Sequence, residues 1–165
     1  MKKYFFTVIF ALFTGLFASA QDLNSLMNEV AKSENAKREV GDGAAIVGRM
    51  KTFLEKDTTG MMARLLPVMQ KIDSAMTVSI QSPDSVATEL IKNYKLGVGD
   101  SIIKVTDKAP AYIRTIVHKE GDSTTEVFLL YVIDAPYNAG AIFKYSGKFN
   151  EADLREMATN KFMGN

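Results

Sequence analysis

The sequence predicts an α+β fold in which an antiparallel β-meander in the C-terminal half packs against N-terminal and C-terminal helices. Apolar residues recur at helical spacing through residues 23–72 and again through residues 154–162. Between residues 101 and 147, four segments rich in β-branched and aromatic residues are separated by turn sequences, as in consecutive antiparallel strands. Helices placed before and after such a group of strands are typical of α+β proteins.

Three helices are predicted before residue 75. The first spans residues 23–31, where the apolar residues fall at positions i, i+3, i+4, i+7 and i+8. A polar stretch and the sequence Gly41-Asp42-Gly43 break the helix, and a second helix runs over residues 44–54. The third helix, over residues 62–72, contains Pro67, which either kinks or restarts it because proline has no N–H donor.

A strand and a fourth helix follow. Residues 75–81 alternate between apolar and polar, which is typical of a half-buried strand. Ser82 is the expected N-cap of the next helix, with Pro83 at the first helical position. That helix is expected to end at Gly97, and its predicted buried stripe comprises Val86, Leu90, Ile91 and Tyr94.

The strands of the predicted meander are residues 101–106, 112–119, 125–133 and 140–147. Within the third strand, residues 127–133 do not alternate but are apolar throughout. A strand that is apolar on both faces is usually central in its sheet and covered on both sides. We therefore expect this strand to be central.

The last helix has a well-marked start. Asn150 is the expected cap, and Asp153 lies three residues later, where a capping box places an acidic side chain. Phe149 and Leu154 occupy the two positions of a hydrophobic staple. The helix is therefore predicted to begin directly after Asn150.

The first twenty residues predict a cleaved signal peptide. Lys2-Lys3 precede an uncharged apolar stretch over residues 4–17, and Ala18-Ser19-Ala20 offers a cleavage site before Gln21. A retained anchor is disfavoured because spanning a bilayer needs roughly 20 apolar residues, and a lipoprotein would need a cysteine, which the sequence lacks. We expect a periplasmic or secreted protein with no stable membrane anchor after cleavage, in which residues 21–165 form a single domain.

The composition of the mature chain argues against nucleic acid as a partner and against disulfides as a source of stability. Loss of Lys2-Lys3 changes the formal net charge from +1 to −1, and the basic residues form no cluster suited to nucleic acid. The absence of cysteine excludes disulfides and a cysteine nucleophile. Stability must therefore come from the apolar core, which a domain of this length can provide.

We identify no catalytic residue, no cofactor-binding residue and no metal ligand from the sequence. Residues 43–50 have the glycine spacing of a phosphate-binding loop, but Arg49 and Met50 replace the lysine and the hydroxyl residue on which that loop depends. The methionines fall on helical stripes, which indicates core packing rather than a copper(I) site. The acidic residues of the last helix fall where the helix dipole favours negative charge. A Ser–Lys catalytic pair stays open, because spacing does not reveal one.

His118 is the single histidine of the chain, and we expect it to face solvent late in its strand. Histidine catalysis needs a nucleophile or an orienting acid beside the imidazole, and a solvent-facing residue beside Lys119 and Glu120, just before a turn, is the simpler interpretation. With Tyr112 and Arg114 of the same strand, His118 is a candidate surface contact for a partner.

Three segments of the sequence are similar to those of a known protein family. They are residues 71–78 (Lys-Ile-Asp-Ser-Ala-Met-Thr-Val), the apolar strand over 126–132, and residues 147–157 (Gly-Lys-Phe-Asn-Glu-Ala-Asp-Leu-Arg-Glu-Met). In these segments the chain resembles a family of small exported Bacteroidetes proteins known as a domain of unknown function. The resemblance covers most of the mature chain and implies export and the predicted fold, but no active site. Many such proteins are lipoproteins, whereas this chain lacks the cysteine.

Three functions follow as hypotheses. The first is a non-enzymatic envelope module, structural or regulatory, that binds a protein or a surface component through an apolar sheet face left uncovered by the helices. The alternative is a carrier of a small hydrophobic ligand, with a pocket between the helices and the sheet. A hydrolase is the third and least favoured, because it would need a cleft with convergent polar groups. No cofactor is expected.

Overall fold

The computed structural model describes residues 22–45, 47–48, 60–81, 83–120 and 123–159. The predicted leader, its cleavage site at Ala20 and Gln21, and most of the predicted second helix lie outside these residues. The described elements, in chain order, are α1 (Leu23–Val30), β1 (Ala36–Asp42), α2 (Met61–Met69), β2 (Ile72–Ile80), α3 (Ser85–Lys92), β3 (Asp100–Lys108), β4 (Ala111–Glu120), β5 (Ser123–Ile133), β6 (Ala139–Phe149) and α4 (Glu151–Thr159). Among these residues, no helix combines the length and apolar character needed to cross a bilayer.

The six strands form one antiparallel sheet in the order β1-β2-β6-β5-β4-β3. Strands β3 to β6 pair in sequence, each with the next, which confirms the predicted meander. Strand β2 pairs with the last strand, β6, and β1 pairs with β2. The predicted α+β class is therefore confirmed, and β5 lies in the interior of the sheet as expected.

Helices α1 and α3 cover one face of the sheet, which we call the helix-bearing face. The first core lies between these two helices and the sheet, and it includes buried side chains of both helices and of the central strands. Each large apolar side chain buried here stabilises the fold by about 1.5–3 kcal/mol. Its fully buried members include Leu26, Met27, Val30, Ile91, Phe128, Leu130 and Ile142.

The opposite face is covered at one end by α2 and α4, where a second core forms. Val127 of β5 lies in this second core, whereas its neighbour Phe128 lies in the first, and both side chains are fully buried. The prediction of a strand covered on both sides is thus confirmed at this point of β5. The second core also contains Leu65, Val68, Met69, Val117, Phe149, Leu154 and Met157.

The start of α4 follows the predicted pattern. The Asn150 N–H donates to Asp153 Oδ2 at 2.7 Å, and the Asp153 N–H donates back to Asn150 Oδ1 at 2.9 Å. Phe149 and Leu154 are both buried in the second core. Lys71 Nζ adds an ion pair to Asp153 at 2.7 Å, which ties the start of β2 to this helix.

One strand was not predicted. The polar segment interpreted as a helix break contains β1, which pairs with β2 over the whole of its length. Most β1 side chains are exposed, so the segment lacks the apolar alternation by which strands are detected in sequences. The strand is stabilised by backbone hydrogen bonds to β2 at the edge of the sheet, and its side chains contribute little burial.

The predicted start of α3 is wrong by a few residues. Its N-cap is Asp84 rather than Ser82, and Pro83 lies before the helix. Asp84 Oδ1 accepts the Ala87 N–H at 3.0 Å, and Asp84 Oδ2 accepts the Ser33 hydroxyl at 2.5 Å. As the N-cap, Asp84 also connects α3 to the segment that follows α1, through its hydrogen bond with Ser33.

The predicted stripe and end of α3 also need correction. Val86 is 73 % exposed, and the buried residues of the helix are Ala87, Thr88 and Ile91. The helix ends at Lys92 rather than at Gly97. Tyr94 lies beyond the helix but is still buried in the first core, and its carbonyl oxygen accepts a hydrogen bond from Arg114 of β4.

Pro67 lies inside α2, which ends at Met69. Ile72, predicted as part of that helix, begins β2 instead. A Cβ atom on Gly43 would collide with the backbone oxygen of Ile72. This close approach gives the glycine a packing role.

Candidate functional site

The candidate site is built around the segment that joins α3 to β3. The Tyr94 hydroxyl donates to Asp100 Oδ2 at 2.6 Å, and the Gly97 N–H donates to the same oxygen at 2.9 Å. Burial raises the pKa of Tyr94, and the bond to Asp100 raises it further, so the phenol stays protonated and donates. The segment is therefore a loop closed on the carboxylate of Asp100.

His118 of β4 completes the contacts of this carboxylate. His118 Nδ1 lies 2.9 Å from Asp100 Oδ1, and the two residues are direct partners across β3 and β4. Gly99, at φ 84°, makes room for the ring, since a Cβ there would lie 3.1 Å from His118 Cε1. The Asp100 side chain is buried, whereas that of His118 is 38 % exposed.

Arg114 joins the same group of side chains from the middle of β4. Arg114 Nη1 donates to the Tyr94 carbonyl oxygen at 2.9 Å, and its guanidinium carbon lies 5.2 Å from the centroid of the Tyr112 ring. Residues 112, 114 and 118 lie on the helix-bearing face, because their side chains alternate with those facing the opposite side. We call Tyr94, Asp100, Tyr112, Arg114 and His118 the polar cluster.

The structure thus brings the three candidate contact residues into one cluster. Tyr112 is buried, however, and Arg114 and His118 are half-buried. The side chain of His118, which is expected to face solvent, is partly exposed, and Asp100 orients its ring. A contact role for these residues stays a prediction, and burial argues against Tyr112 as a first point of contact.

Sequence reasoning missed Tyr94 as a polar partner and missed Asp100 altogether. The sequence predicts Tyr94 as an apolar member of a helix stripe, although its hydroxyl donates to Asp100 and its carbonyl oxygen accepts from Arg114. The one available indication was the turn sequence Gly97-Val98-Gly99-Asp100, which brings a carboxylate to the start of a strand.

The start of α1 lies beside the cluster and is held by its own polar contacts. Lys144 Nζ donates to Asn24 Oδ1 at 2.7 Å and pairs with Glu126, which lies opposite His118 in the sheet. The Ser25 N–H lowers the pKa of the capping residue Asp22, and the nearby His118 adds a small contribution in the same direction. These contacts place the N-terminal end of α1 close to His118.

Next to the polar cluster, four large apolar side chains of β3 and of the loop before it are exposed, and we call them the edge patch. A β-bulge after Ile102 inserts one extra residue into β3 and brings Ile102 and Val105 onto the helix-bearing face, opposite Ile116 and Arg114. With a regular strand, two residues three positions apart would face opposite sides. The exposed fractions of the patch residues are 41 % for Leu96, 94 % for Val98, 39 % for Ile102 and 51 % for Val105.

The other face of β3 is basic. Lys104 and Lys108 are partners of Thr115 and Ala111 and therefore lie on the side opposite Val105. Neither lysine is within ion-pairing distance of a carboxylate in the described ranges. The strand thus has Ile102 and Val105 between Asp100 and Asp107 on its helix-bearing face, and two lysines on the other face.

The chemistry available to the cluster rests on the Asp100–His118 pair and on Arg114. Asp100 fixes the orientation of the imidazole, as an acid does for a catalytic histidine. Within the ranges that the structure covers, no serine or threonine hydroxyl is hydrogen-bonded to His118, and no three His, Asp or Glu side chains converge as metal ligands. Arg114 supplies N–H donors suited to an anion.

No protein-family model, no curated protein and no solved structure matches this chain.

Proposed function

We propose that this protein is an exported, non-enzymatic binding module whose strand β3 receives an extended segment of an envelope partner. The observation that carries the proposal is the combination of a strand edge that no described strand occupies with the edge patch beside it. In the described part of the chain, no strand pairs with the outer side of β3. A free edge offers a row of backbone donors and acceptors to an added strand.

The two faces of β3 define the chemistry of the segment. On the helix-bearing face, Ile102 and Val105 would pack against apolar side chains of the partner. On the opposite face, Lys104 and Lys108 would pair with acidic ones. Because successive residues of a strand alternate between faces, the expected partner segment alternates apolar and acidic residues.

The experiment is a selection of random peptides on the immobilised mature protein, followed by titration of a selected peptide into isotope-labelled protein. We expect the selected sequences to alternate apolar and acidic residues, and the largest amide shifts to map to β3. Peptides without this alternation, or shifts that leave β3 unchanged, would overturn the proposal.

Matched variants test the patch and the charges separately. Val105→Glu is expected to weaken peptide binding about tenfold or more, since it places an acid in a desolvated apolar contact. Val86→Glu is its control, because Val86 is an exposed valine on α3, away from the patch. Lys104→Glu is expected to weaken binding several-fold, with the exposed Lys148→Glu as control. Equal effects of test and control variants would contradict the proposed interface.

The small-ligand carrier has less support. The expected pocket position lies between the helices and the sheet, where Leu26, Ile91 and Phe128 are buried together in the first core. A carrier would have to open this packed cluster to admit a ligand.

A further inference from the structure

Arg114 has a charge that the described residues do not neutralise. Its Nη1 donates to a neutral backbone carbonyl, that of Tyr94, and no carboxylate within the described ranges forms an ion pair with it. The residue is half-buried, so water compensates its charge only in part. Partly buried charges are ordinarily paired.

Two buried donors beside this charge also lack partners in the described chain. They are Arg114 Nε and the hydroxyl of Tyr112. Burial raises the pKa of Tyr112, so its hydroxyl stays a donor at neutral pH. Buried donors without an acceptor are rare and costly, and here two of them come from side chains that contact each other.

Most of the neighbouring charged groups are already engaged, whereas Asp107, the partner of Tyr112 on β3, is exposed and forms no ion pair among the described residues. Lys92 is paired with Asp134 and Glu89, and Asp100 is bound by Tyr94 and His118. A rearrangement that gave Arg114 one of these carboxylates would break an existing pair. In the described structure, neither these carboxylates nor that of Asp107 accepts a hydrogen bond from the two donors, so an acceptor for them is still missing.

We propose that Arg114 and Tyr112 form a binding site for a carboxylate. A guanidinium presents parallel N–H donors that match the two oxygens of a carboxylate, and a phenol adds a third donor. A doubly charged phosphate fits less well, because the site has one positive charge and lies near the C-terminal end of α3, where the helix dipole is negative. The carboxylate could belong to a small acid or to a peptide.

This inference goes beyond the proposed function, because the site would bind a free carboxylate even if no strand adds to β3. The test follows the Arg114 Nε–Hε signal by NMR while sodium acetate is added, with sodium chloride at equal ionic strength as reference. We expect a saturable shift with acetate, with a Kd of roughly millimolar order, and none with chloride. An equal response to both salts, or no response to acetate, would sink the proposal.

A second arm separates the two sources of the carboxylate. Short peptides with a free C-terminus, with an amidated C-terminus, and with an acidic side chain are titrated in the same way. Tighter binding of one peptide class than of acetate identifies that peptide carboxylate as the preferred ligand. Binding no tighter than that of acetate identifies a small acid.

Variants distinguish a binding role from a structural one. Arg114→Met is expected to abolish the acetate response, read from the amides of β4, while Arg114→Lys keeps the charge and weakens binding about tenfold because the paired donors are lost. Tyr112→Phe should weaken binding several-fold. Arg64→Met, at an exposed arginine of α2, is the matched control. Acetate binding that survives both Arg114 variants unchanged would refute the site, whether or not peptides bind to β3.

Discussion

Two partly or fully buried ionic side chains of this protein differ in how completely they are paired. Asp153 accepts the Asn150 N–H in the capping box of α4 and pairs with Lys71. Arg114 has one backbone acceptor, while its Nε and the hydroxyl of the adjacent Tyr112 have no partner among the described residues. The first arrangement is complete without a ligand, and the second is not.

This difference separates a structural polar group from a candidate binding group. A buried charge with all its partners present fixes the geometry of the elements that supply them. A charge that lacks partners costs stability, and its retention is explained more readily by a ligand than by folding. The comparison therefore predicts that variants of the Asp153 network reduce stability, whereas variants at the Tyr112–Arg114 pair affect binding.

The largest effect on stability is expected for Asp153→Ala. The variant removes the acceptor of the Asn150 N–H in the capping box of α4 and the ion pair to Lys71, so the free energy of unfolding should fall by about 2 kcal/mol. Urea denaturation measures it. Glu151→Ala is the control, because Glu151 pairs with Arg155 at the exposed surface of the same helix and should cost about 0.5 kcal/mol or less. Equal losses of unfolding free energy in the two variants would show that the contacts of Asp153 do not stabilise the fold.

A smaller loss is expected for Asp84→Ala. The carboxylate caps α3 and accepts the Ser33 hydroxyl, so its removal should cost about 1 kcal/mol. Asp84→Asn should recover part of that loss, since an asparagine side chain also caps helices. Ser85→Ala, at the exposed first helical position, serves as control. A full loss in the asparagine variant would point to the charge rather than to the cap.

The pH dependence of stability should report the same caps. Backbone N–H donors lower the pKa of Asp22 and of Asp84, with the Ser33 hydroxyl adding to the effect at Asp84. A carboxyl whose pKa is lower in the folded state stabilises the fold above its unfolded pKa, and this contribution disappears as the pH falls through the folded pKa. Between pH 6 and pH 3, the wild type should therefore lose more stability than the double variant Asp22→Ala/Asp84→Ala. Identical slopes in denaturation series would contradict this.

The smallest effect is expected for Tyr112→Phe. Its hydroxyl has no partner in the described structure, so its removal should leave stability within about 0.5 kcal/mol or raise it. Tyr94→Phe is the matched variant, because the Tyr94 hydroxyl donates to Asp100, and it should cost about 1.5 kcal/mol. A comparable loss in both phenylalanine variants would mean that Tyr112 also has a structural partner.

The sequence predicts those parts of the fold that local patterns determine. The meander, the cap at Asn150 and the burial of β5 on both sides depend on residues close together in the chain, and each was predicted. Strand β1 is not predicted, because its exposed charged residues show no apolar alternation and the strand is held by pairing with β2.

The candidate site depends on information that local patterns do not contain. Tyr112, Arg114 and His118 were singled out, but not the loop that connects them through Tyr94 and Asp100. The edge patch could not be predicted either, since it depends on one extra residue in β3 that shifts Val105 to the other face. Register and bulges follow from pairing between strands, which composition and periodicity do not specify.

The placement of β2 between β1 and β6 has a consequence for the order of folding. During synthesis β2 leaves the ribosome well before β6, the strand that must later bind its inner side. Each of the strands β3 to β6 pairs with the next strand along the chain, which closes only a short loop, whereas pairing β2 with β6 closes a long loop. We therefore expect the four-stranded portion to assemble first and the β1–β2 pair to dock last, so hydrogen-exchange labelling during refolding should protect β2 later than β5.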